Sequence, residues 1–464
     1  MYSSILFFPS PLTHGGKFSY IAMLKINTIT SLIAANTNKV FIAYSGGIDS
    51  HVLLHLAALN KELKAKITAV YVHHGLQIEA DEWAEHCQHI AQELGVGFKC
   101  LTVKVQKTTA QSLEELARDA RYQAFESLME SNDVVLLAQH REDQMETVLL
   151  QLFRGAGVQG LSAMPLTISF GKGQMCRPFL DVSKQEINDY ALAHQLCWIE
   201  DPSNQSDEFD RNFLRNQIVP QLKQKWPALD KTIARSARHC GNAQRLTEDL
   251  AKQLLTQVCD KTGQTLNISQ LLELERIKQN LVIREWFKVN NLRMPAEKIL
   301  NAILDEVVNA EQSKNPEIRG LGYCIRRYRK KLYCLTSTDT NKQLCEQLWT
   351  IPEKQLILAD GSKLVISESS TGIPQRLWDA AEVTIKFRQG AEKISLPGRA
   401  GRHTLKKLYQ EKGVPPWQRS NIPLIYLDNN LAAVADLWIA ADYFDQNESC
   451  YQLDWLKPVD SERI

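Results

Sequence analysis

The stretch FIAYSGGIDS, residues 41–50, constrains this chain more than any other. The β-formers Val40, Phe41, Ile42 and Tyr44 stop at Ser45-Gly46-Gly47, and an apolar helical pattern of Val52, Leu53, Leu56 and Leu59 takes over from Asp49. The segment reads as strand, tight turn and helix N-terminus. Two glycines leave no Cβ in the way of the turn, so successive N–H groups can face one anion at the positive end of the helix dipole. A phosphate is the expected ligand. No Gly-Lys-Ser/Thr follows the glycines, so this is not a Walker-type loop. With no lysine on the turn, Ser45, Ser50 and the backbone N–H groups of Gly46, Gly47 and Ile48 are expected to hold the phosphate, and Asp49 a divalent ion.

Strand patterns at 39–44, 67–73, 98–105 and 133–138 alternate with helical patterns at 50–59, 80–94, 112–131 and 141–154. Parallel strands need such crossovers, so the expected fold class is α/β with a doubly wound parallel sheet. Ligands in such folds sit beyond the carboxyl ends of the strands. There the chain places Ser45-Gly46-Gly47, His73-His74-Gly75 and Gln139-His140. A capping box from Ser112 to Glu115 opens the third helix, whose expected buried stripe is Leu113, Leu116, Ala117, Ala120, Ala124 and Leu128. Arg118 and Arg121 share a neighbouring face of that helix, either as solvated side chains or as a fork for phosphates. In the fourth helix Asp143, Glu146, Thr147, Leu150 and Arg154 lie along one side. Pro202 holds Glu200-Asp201 in a turn, and Arg211 and Arg215 stand one helical turn apart.

SGGIDS resembles the signature of the PP-loop ATP pyrophosphatases, which cleave ATP between its α- and β-phosphates. HHGLQ (73–77), ARDARY (117–122), QHREDQMETVLLQLFRGAGVQGLSAMP (139–165), EDPSN (200–204) and RNFLR (211–215) are similar, in this order, to segments of the tRNA(Ile)-lysidine synthases. Gln77, Gln139 and Glu142 depart from that pattern. The resemblance implies ATP and Mg²⁺ as cofactors, and L-lysine and an isoleucine tRNA with a wobble cytidine as partners. The expected reaction passes through an adenylated cytidine to lysidine, releasing pyrophosphate and AMP. It implies catalytic roles for Asp49, Asp143, Glu146 and Arg118, with Mg²⁺ on Asp49. Nucleotide contacts fall to Ser45, Gly46, Gly47, Ile48, Asp49, Ser50, His74 and Arg121. Asp143, Glu146, Glu200 and Asp201 would form an acidic pocket for lysine. Three other readings stay open. A tRNA thiolase of the same superfamily would lean on cysteine pairs that are absent here, and an amide-forming PP-loop enzyme acting on a small metabolite would not need the basic C-terminal unit. An RNA-binding module with an inactive nucleotide site is the third.

The expected organisation is an N-terminal extension (1–22, with Met23 a candidate start), a PP-loop catalytic domain (23–219) and a helical tRNA-contacting domain (220–337). A linker with a small β element (338–380) and a basic α+β domain (381–464) follow. Residues 228–312 read as helical throughout. Five of the six residues 326–331 are basic, which suits a charged strand edge or an RNA backbone contact. Net charge is only +1, yet 383–420 carries nine Lys and Arg against two Glu, so a one-sided basic surface for RNA is expected. The C-terminal segment HTLKKLYQEKGVPPWQRSNIPLIY (403–426) is also similar to the synthases. Within it Lys406, Lys407 and Arg419 are candidate phosphate contacts, Trp417 is read as packing, and a hairpin is expected to turn at Asn429-Asn430. No apolar run approaches the ~20 residues of a membrane span. Ten scattered cysteines without a C-x-x-C pair point to a reducing cytoplasm. A homodimer is the open expectation for assembly.

Overall fold

Alternate residues of the strand Val40–Ala43 enter two different cores. Val40 and Ile42 pack into one apolar cluster, and Phe41 between them into another. Such two-sided burial belongs to the centre of a parallel sheet. In the computed structural model this strand lies inside a six-stranded sheet of order Gly97–Thr102, Ile67–His73, Val40–Ala43, Val134–Leu136, Gly173–Cys176, Thr167–Phe170. All neighbours are parallel except the last pair, an antiparallel hairpin. The helices Ile48–Ala58, Ala80–Glu93 and Lys184–Ala193 cover one face, and Leu113–Leu128 packs on the other. This is the doubly wound α/β class. Strand order runs outward in opposite directions from Val40–Ala43, so a switch-point crevice opens between the carboxyl ends of Val40–Ala43 and Val134–Leu136.

The structure describes residues 6–7, 24–75, 79–103, 113–202, 206–207, 209–311, 316–336 and 345–457. Two compact units divide it, 1–249 and 250–464. The 112–131 helix differs from its expected stripe: Phe125 is the residue it buries most deeply, followed by Met129 just beyond the helix end, while Leu116, Ala117, Ala120, Ala124 and Leu128 are only half-buried. Its aromatic ring reaches further into the sheet face than the alanines can. Ser112 lies outside the described residues.

The first unit extends past 219, because Arg141 grips Asp230 at 2.6 Å and ties the start of the helix Leu229–Val258 to it. Within that helix Ala237 is buried, but Leu246 is 72% exposed, so the apolar periodicity there does not mark a continuous buried stripe. In the second unit, residues 250–311 are not helical throughout. Thr265–Asn267 is an edge strand of a four-stranded antiparallel sheet with Glu317–Gly320, Tyr323–Tyr328 and Lys331–Thr336. Asp260 sets that strand, accepting from the backbone N–H of Gln264 and Thr265 and from the Thr265 hydroxyl.

The described part of the expected linker, 345–380, carries paired strands. Its strand Gln347–Trp349 pairs with Val383–Lys386, and Lys363–Ser369 pairs along its length with Cys450–Leu456. Trp349 and Trp378 meet edge to face, 5.2 Å apart, inside the same core. The C-terminal hairpin turns one residue earlier than expected. Asp428 and Asn429 both take positive φ (48° and 62°), as a two-residue primed turn requires, and Leu427 pairs with Asn430.

Candidate active site

The crevice is organised around the diglycine turn. Gly46 has φ +81°, and a Cβ there would lie 2.6 Å from Ile199 Cδ1 and 3.1 Å from Cys87 Sγ. The turn is clipped from within. Ser50 Oγ donates to Gly47 O at 2.9 Å and accepts from Ser45 N–H at 3.2 Å. Ser50 is buried, and its hydroxyl proton already serves the loop, so Ser50 shapes the turn where Ser45 is exposed. Gly47 is the N-cap of Ile48–Ala58 with no side-chain cap, leaving the helix end open to an outside acceptor, and Ile48 is half-buried beside it. Ile199 N–H donates to Gly46 O at 3.0 Å, which lays the Glu200-Asp201 segment against the turn.

Across the switch point, His140 caps the helix Arg141–Phe153, and Asp143 Oδ2 accepts its N–H at 3.0 Å. The His140 imidazole is buried among three carboxylates: Nε2 lies 4.0 Å from Asp49 and 3.4 Å from Asp143, and Nδ1 lies 3.3 Å from Glu142. Burial alone would lower its pKa, but Glu142, Asp143 and Asp49 outweigh it and the value is raised. The turn and the acidic helix therefore meet at one edge, through a single ring.

The acids are not a vacant pocket. Glu146 is almost fully buried and clamped by two arginines, Arg211 Nε at 2.8 Å and Arg215 Nε at 2.7 Å. Arg215 also reaches Asp143 at 3.0 Å. Burial opposes ionisation of Asp143, but His140, Arg211 and Arg215 hold its pKa below the ordinary value. Asp143 and Glu146, expected with Glu200 and Asp201 to line a lysine pocket, stand in an ion-pair network, whose cations helix spacing could not reveal.

Of the three departures from the family pattern, Gln77 lies outside the described residues, and the other two each have a partner. Gln139 accepts from Arg177 Nε at 2.5 Å. Glu142 accepts the backbone N–H of Lys184 at 2.9 Å and meets Lys223 Nζ at 3.2 Å. Burial works against the charge on Glu142, yet His140, the Lys184 N–H and Lys223 bring its pKa down to about 2 from an ordinary 4.5. Its ionised form stabilises the fold above the unfolded value, and that contribution disappears as pH falls through the folded one. Glu142→Gln is expected to flatten the loss of stability between pH 4.5 and pH 2, by up to about 3 kcal/mol. Urea unfolding across that window checks it; parallel loss in wild type and variant would remove Glu142 from the network.

His74 lies at the end of Ile67–His73. Burial, then Arg121 and His73, push it down to about 4, so its ring is neutral at pH 7 and faces the Arg121 charge. Arg118 is exposed and lies over the Tyr122 ring, 5.5 Å from its centre. Lys184, unmarked by the sequence reading, has its Nζ 2.5 Å from Asp49 Oδ1. Its one sequence signal is a cation at the first position of a capped helix, where the dipole disfavours it.

In the second unit the basic run 326–331 is largely engaged within the unit. The Arg327 guanidinium is buried and donates to the carbonyls of Val307, Val308 and Ala310. Arg326 pairs with Glu317 at 2.7 Å and lies 5.4 Å from the centre of the Trp417 ring, and Arg329 donates to Gln410 O. Arg419, a candidate phosphate contact, is buried instead, donating to Val414 O at 2.9 Å and Tyr328 Oη at 3.2 Å. Trp417 packs edge-on to Tyr333. Lys393, Arg402, Lys406, Lys407 and Lys412 remain exposed.

A parallel sheet with a diglycine turn at its switch point, faced by an acid-rich helix, defines a PP-loop nucleotide-binding enzyme, and a PP-loop domain model matches residues 22–222. A TilS substrate binding domain matches 266–333, and a TilS substrate C-terminal domain 383–455. The tRNA(Ile)-lysidine synthase of Photobacterium profundum is 38% identical over 443 residues, 94% of this chain and 99% of that one. That of Methylococcus capsulatus is 36% identical over 406 residues, 87% and 92% of the two chains. The chain belongs to the tRNA(Ile)-lysidine synthase family. Among solved structures, the U34-tRNA thiolase NcsA from Methanococcus maripaludis is similar at 14% identity and a TM-score of 0.38, over 46% of this chain and 76% of that one. Among the described residues no helix is long and apolar enough to cross a membrane.

Proposed function

We propose that this enzyme ligates L-lysine to the wobble cytidine of an isoleucine tRNA, converting ATP to AMP and pyrophosphate. The observation that carries the reading is the meeting of Asp49 and Asp143 around His140 at the switch point, beside an uncapped helix N-terminus. Nucleotide phosphates are held by backbone N–H groups at Gly46, Gly47 and Ile48 and by Ser45, with Arg118 and Arg121 on the neighbouring helix. The cytosine carbonyl oxygen attacks the α-phosphate and pyrophosphate leaves; the lysine ε-amine then displaces AMP. Both steps are slow unless charge on the phosphates is offset, which arginines and a positive helix end supply.

Asp49 is one-third exposed and fits Mg²⁺. Among the described residues no three His, Cys, Asp or Glu side chains gather as a metal cage. Mg²⁺ needs none, since one carboxylate with phosphate oxygens and water satisfies it. Bound there, it would neutralise triphosphate charge. Asp143 and Glu146 organise Arg211 and Arg215 rather than receive lysine, which moves the ammonium contact toward exposed Glu200 and its neighbour Asp201. The exposed lysines and Arg402 of the C-terminal unit supply a surface for RNA. A cytoplasmic homodimer belongs to the same reading and agrees with ten free cysteines; sedimentation tests the dimer.

Incubation with ATP, labelled lysine and tRNA transcripts decides the function. Label should enter the isoleucine transcript with a wobble cytidine and not a methionine transcript. Thiolation activity, or RNA retention with no ATP–pyrophosphate exchange, would replace this reading.

A further inference from the structure

Lys184 is fixed at its backbone on one element and reaches another with its ammonium. It is the first residue of the helix Lys184–Ala193, whose preceding Ser183 accepts from Glu186 N–H at 3.2 Å while Glu186 accepts from Ser183 N–H at 2.8 Å. Its own backbone N–H is taken by Glu142 at 2.9 Å. The base of the side chain is thereby pinned to the helix that carries His140 and Asp143. From there the arm crosses to the turn, with Nζ against Asp49 Oδ1 and about a third of the side chain still exposed. A cation at this helix end is opposed by the dipole, so the contact with Asp49 compensates an unfavourable position.

We infer that Lys184 is the phosphate-gripping lysine of this site, delivered from a neighbouring helix instead of from the loop. The inference rests on the proposed reading that residues 45–50 bind ATP. A divalent ion on the Asp49 carboxylate competes with the Lys184 ammonium for the same negative charge and repels it. When Asp49 takes the metal ion, the Lys184 ammonium loses its partner while its backbone stays fixed. A phosphate tail on the turn, two residues from Asp49, then offers the ammonium a new anion. Four rotatable bonds let the ammonium make that short transfer without moving the helix, and a compact point charge suits a phosphate oxygen. The loop thus needs no lysine of its own.

The test compares Lys184→Gln and Lys184→Arg in the full chain, reading ATP binding by equilibrium dialysis with Mg²⁺, the Mg²⁺ half-saturation of ATP–pyrophosphate exchange, and the melting temperature. K184Q should raise the Kd for ATP at least about tenfold, lower the Mg²⁺ half-saturation because Asp49 no longer has a resident competitor, and leave melting within a few degrees. K184R should restore most of the ATP affinity. If K184Q destabilises the fold, Lys184→Met, which keeps the apolar stem, carries the same comparison. ATP affinity within about twofold of wild type in a folded variant would overturn the inference and reduce Lys184 to a counter-ion of Asp49. Wild-type protein that binds no ATP would overturn the reading of the loop itself.

Discussion

Asp49→Ala is expected to lower ATP–pyrophosphate exchange by at least about 100-fold, the scale on which loss of one preorganised electrostatic group is felt in a catalytic centre. Asp49 is the second residue of the helix Ile48–Ala58 and stands at its positive end, two residues beyond the uncapped Gly47. Lys184 and His140 face it, and its charge also helps keep Arg215 protonated. Removing it leaves Lys184 and His140 at the turn without the partly exposed carboxylate assigned to the divalent ion. ATP then meets cations but no metal at the turn. Binding of ATP should therefore survive better than turnover, so kcat falls more than KM rises. Asp49→Asn, which keeps the shape, should behave nearly as Asp49→Ala; if it does not, packing rather than charge is responsible. Full lysine incorporation by Asp49→Ala would end the assignment of metal binding to this residue.

Glu146→Ala should cost about 3 kcal/mol of stability, because it strips a buried anion from two guanidiniums that stay behind. Arg211 and Arg215 make all three of their short contacts to Glu146 through different N–H groups, at 2.8, 2.7 and 2.8 Å, so neither can satisfy itself by a small rotation. Burial weakens the charged form of Arg215, but Glu146 and Asp143 more than compensate and its pKa is raised. Both arginines keep some solvent access, which places the expected loss at the lower end of that for buried pairs. Urea unfolding of Glu146→Ala, Arg215→Ala and the double variant should give a coupling of about 1–3 kcal/mol. Additive losses would mean that the clamp is not an energetic unit, and Glu146 would return as a candidate for lysine. Exchange activity should fall with stability held constant by working well below the melting range, since Arg215 also orients Asp143.

The helix that starts at Arg141 shows how far local pattern reaches. Spacing alone put Asp143 and Glu146 on one side of it, and the expected range 141–154 coincides with Arg141–Phe153 to within one residue. The same spacing said nothing about Arg211 and Arg215, which come from an element 65 to 69 residues further on. Glu142 was legible as a departure in a motif. Its partners Lys184 and Lys223, 42 and 81 residues away, were not. In the second unit the basic run 326–331 suggested a surface, but Arg327 turned inward because three carbonyls at the end of a helical turn needed a donor.

Sequence by itself determined the strand, diglycine turn and helix at 40–58, the alternation that requires a parallel sheet, and the acids on one helix side. Each of these depends on φ/ψ limits, hydrophobic period or i, i+3 geometry, which act over a few residues. Tertiary structure alone decided that Lys184 sits on Asp49, that Glu146 is occupied by two arginines, and that Arg419 is buried under Tyr328. Those outcomes depend on strand order and on which charges the chain must desolvate together. A buried charge takes whichever partner folding brings within reach, and no short-range pattern encodes that choice.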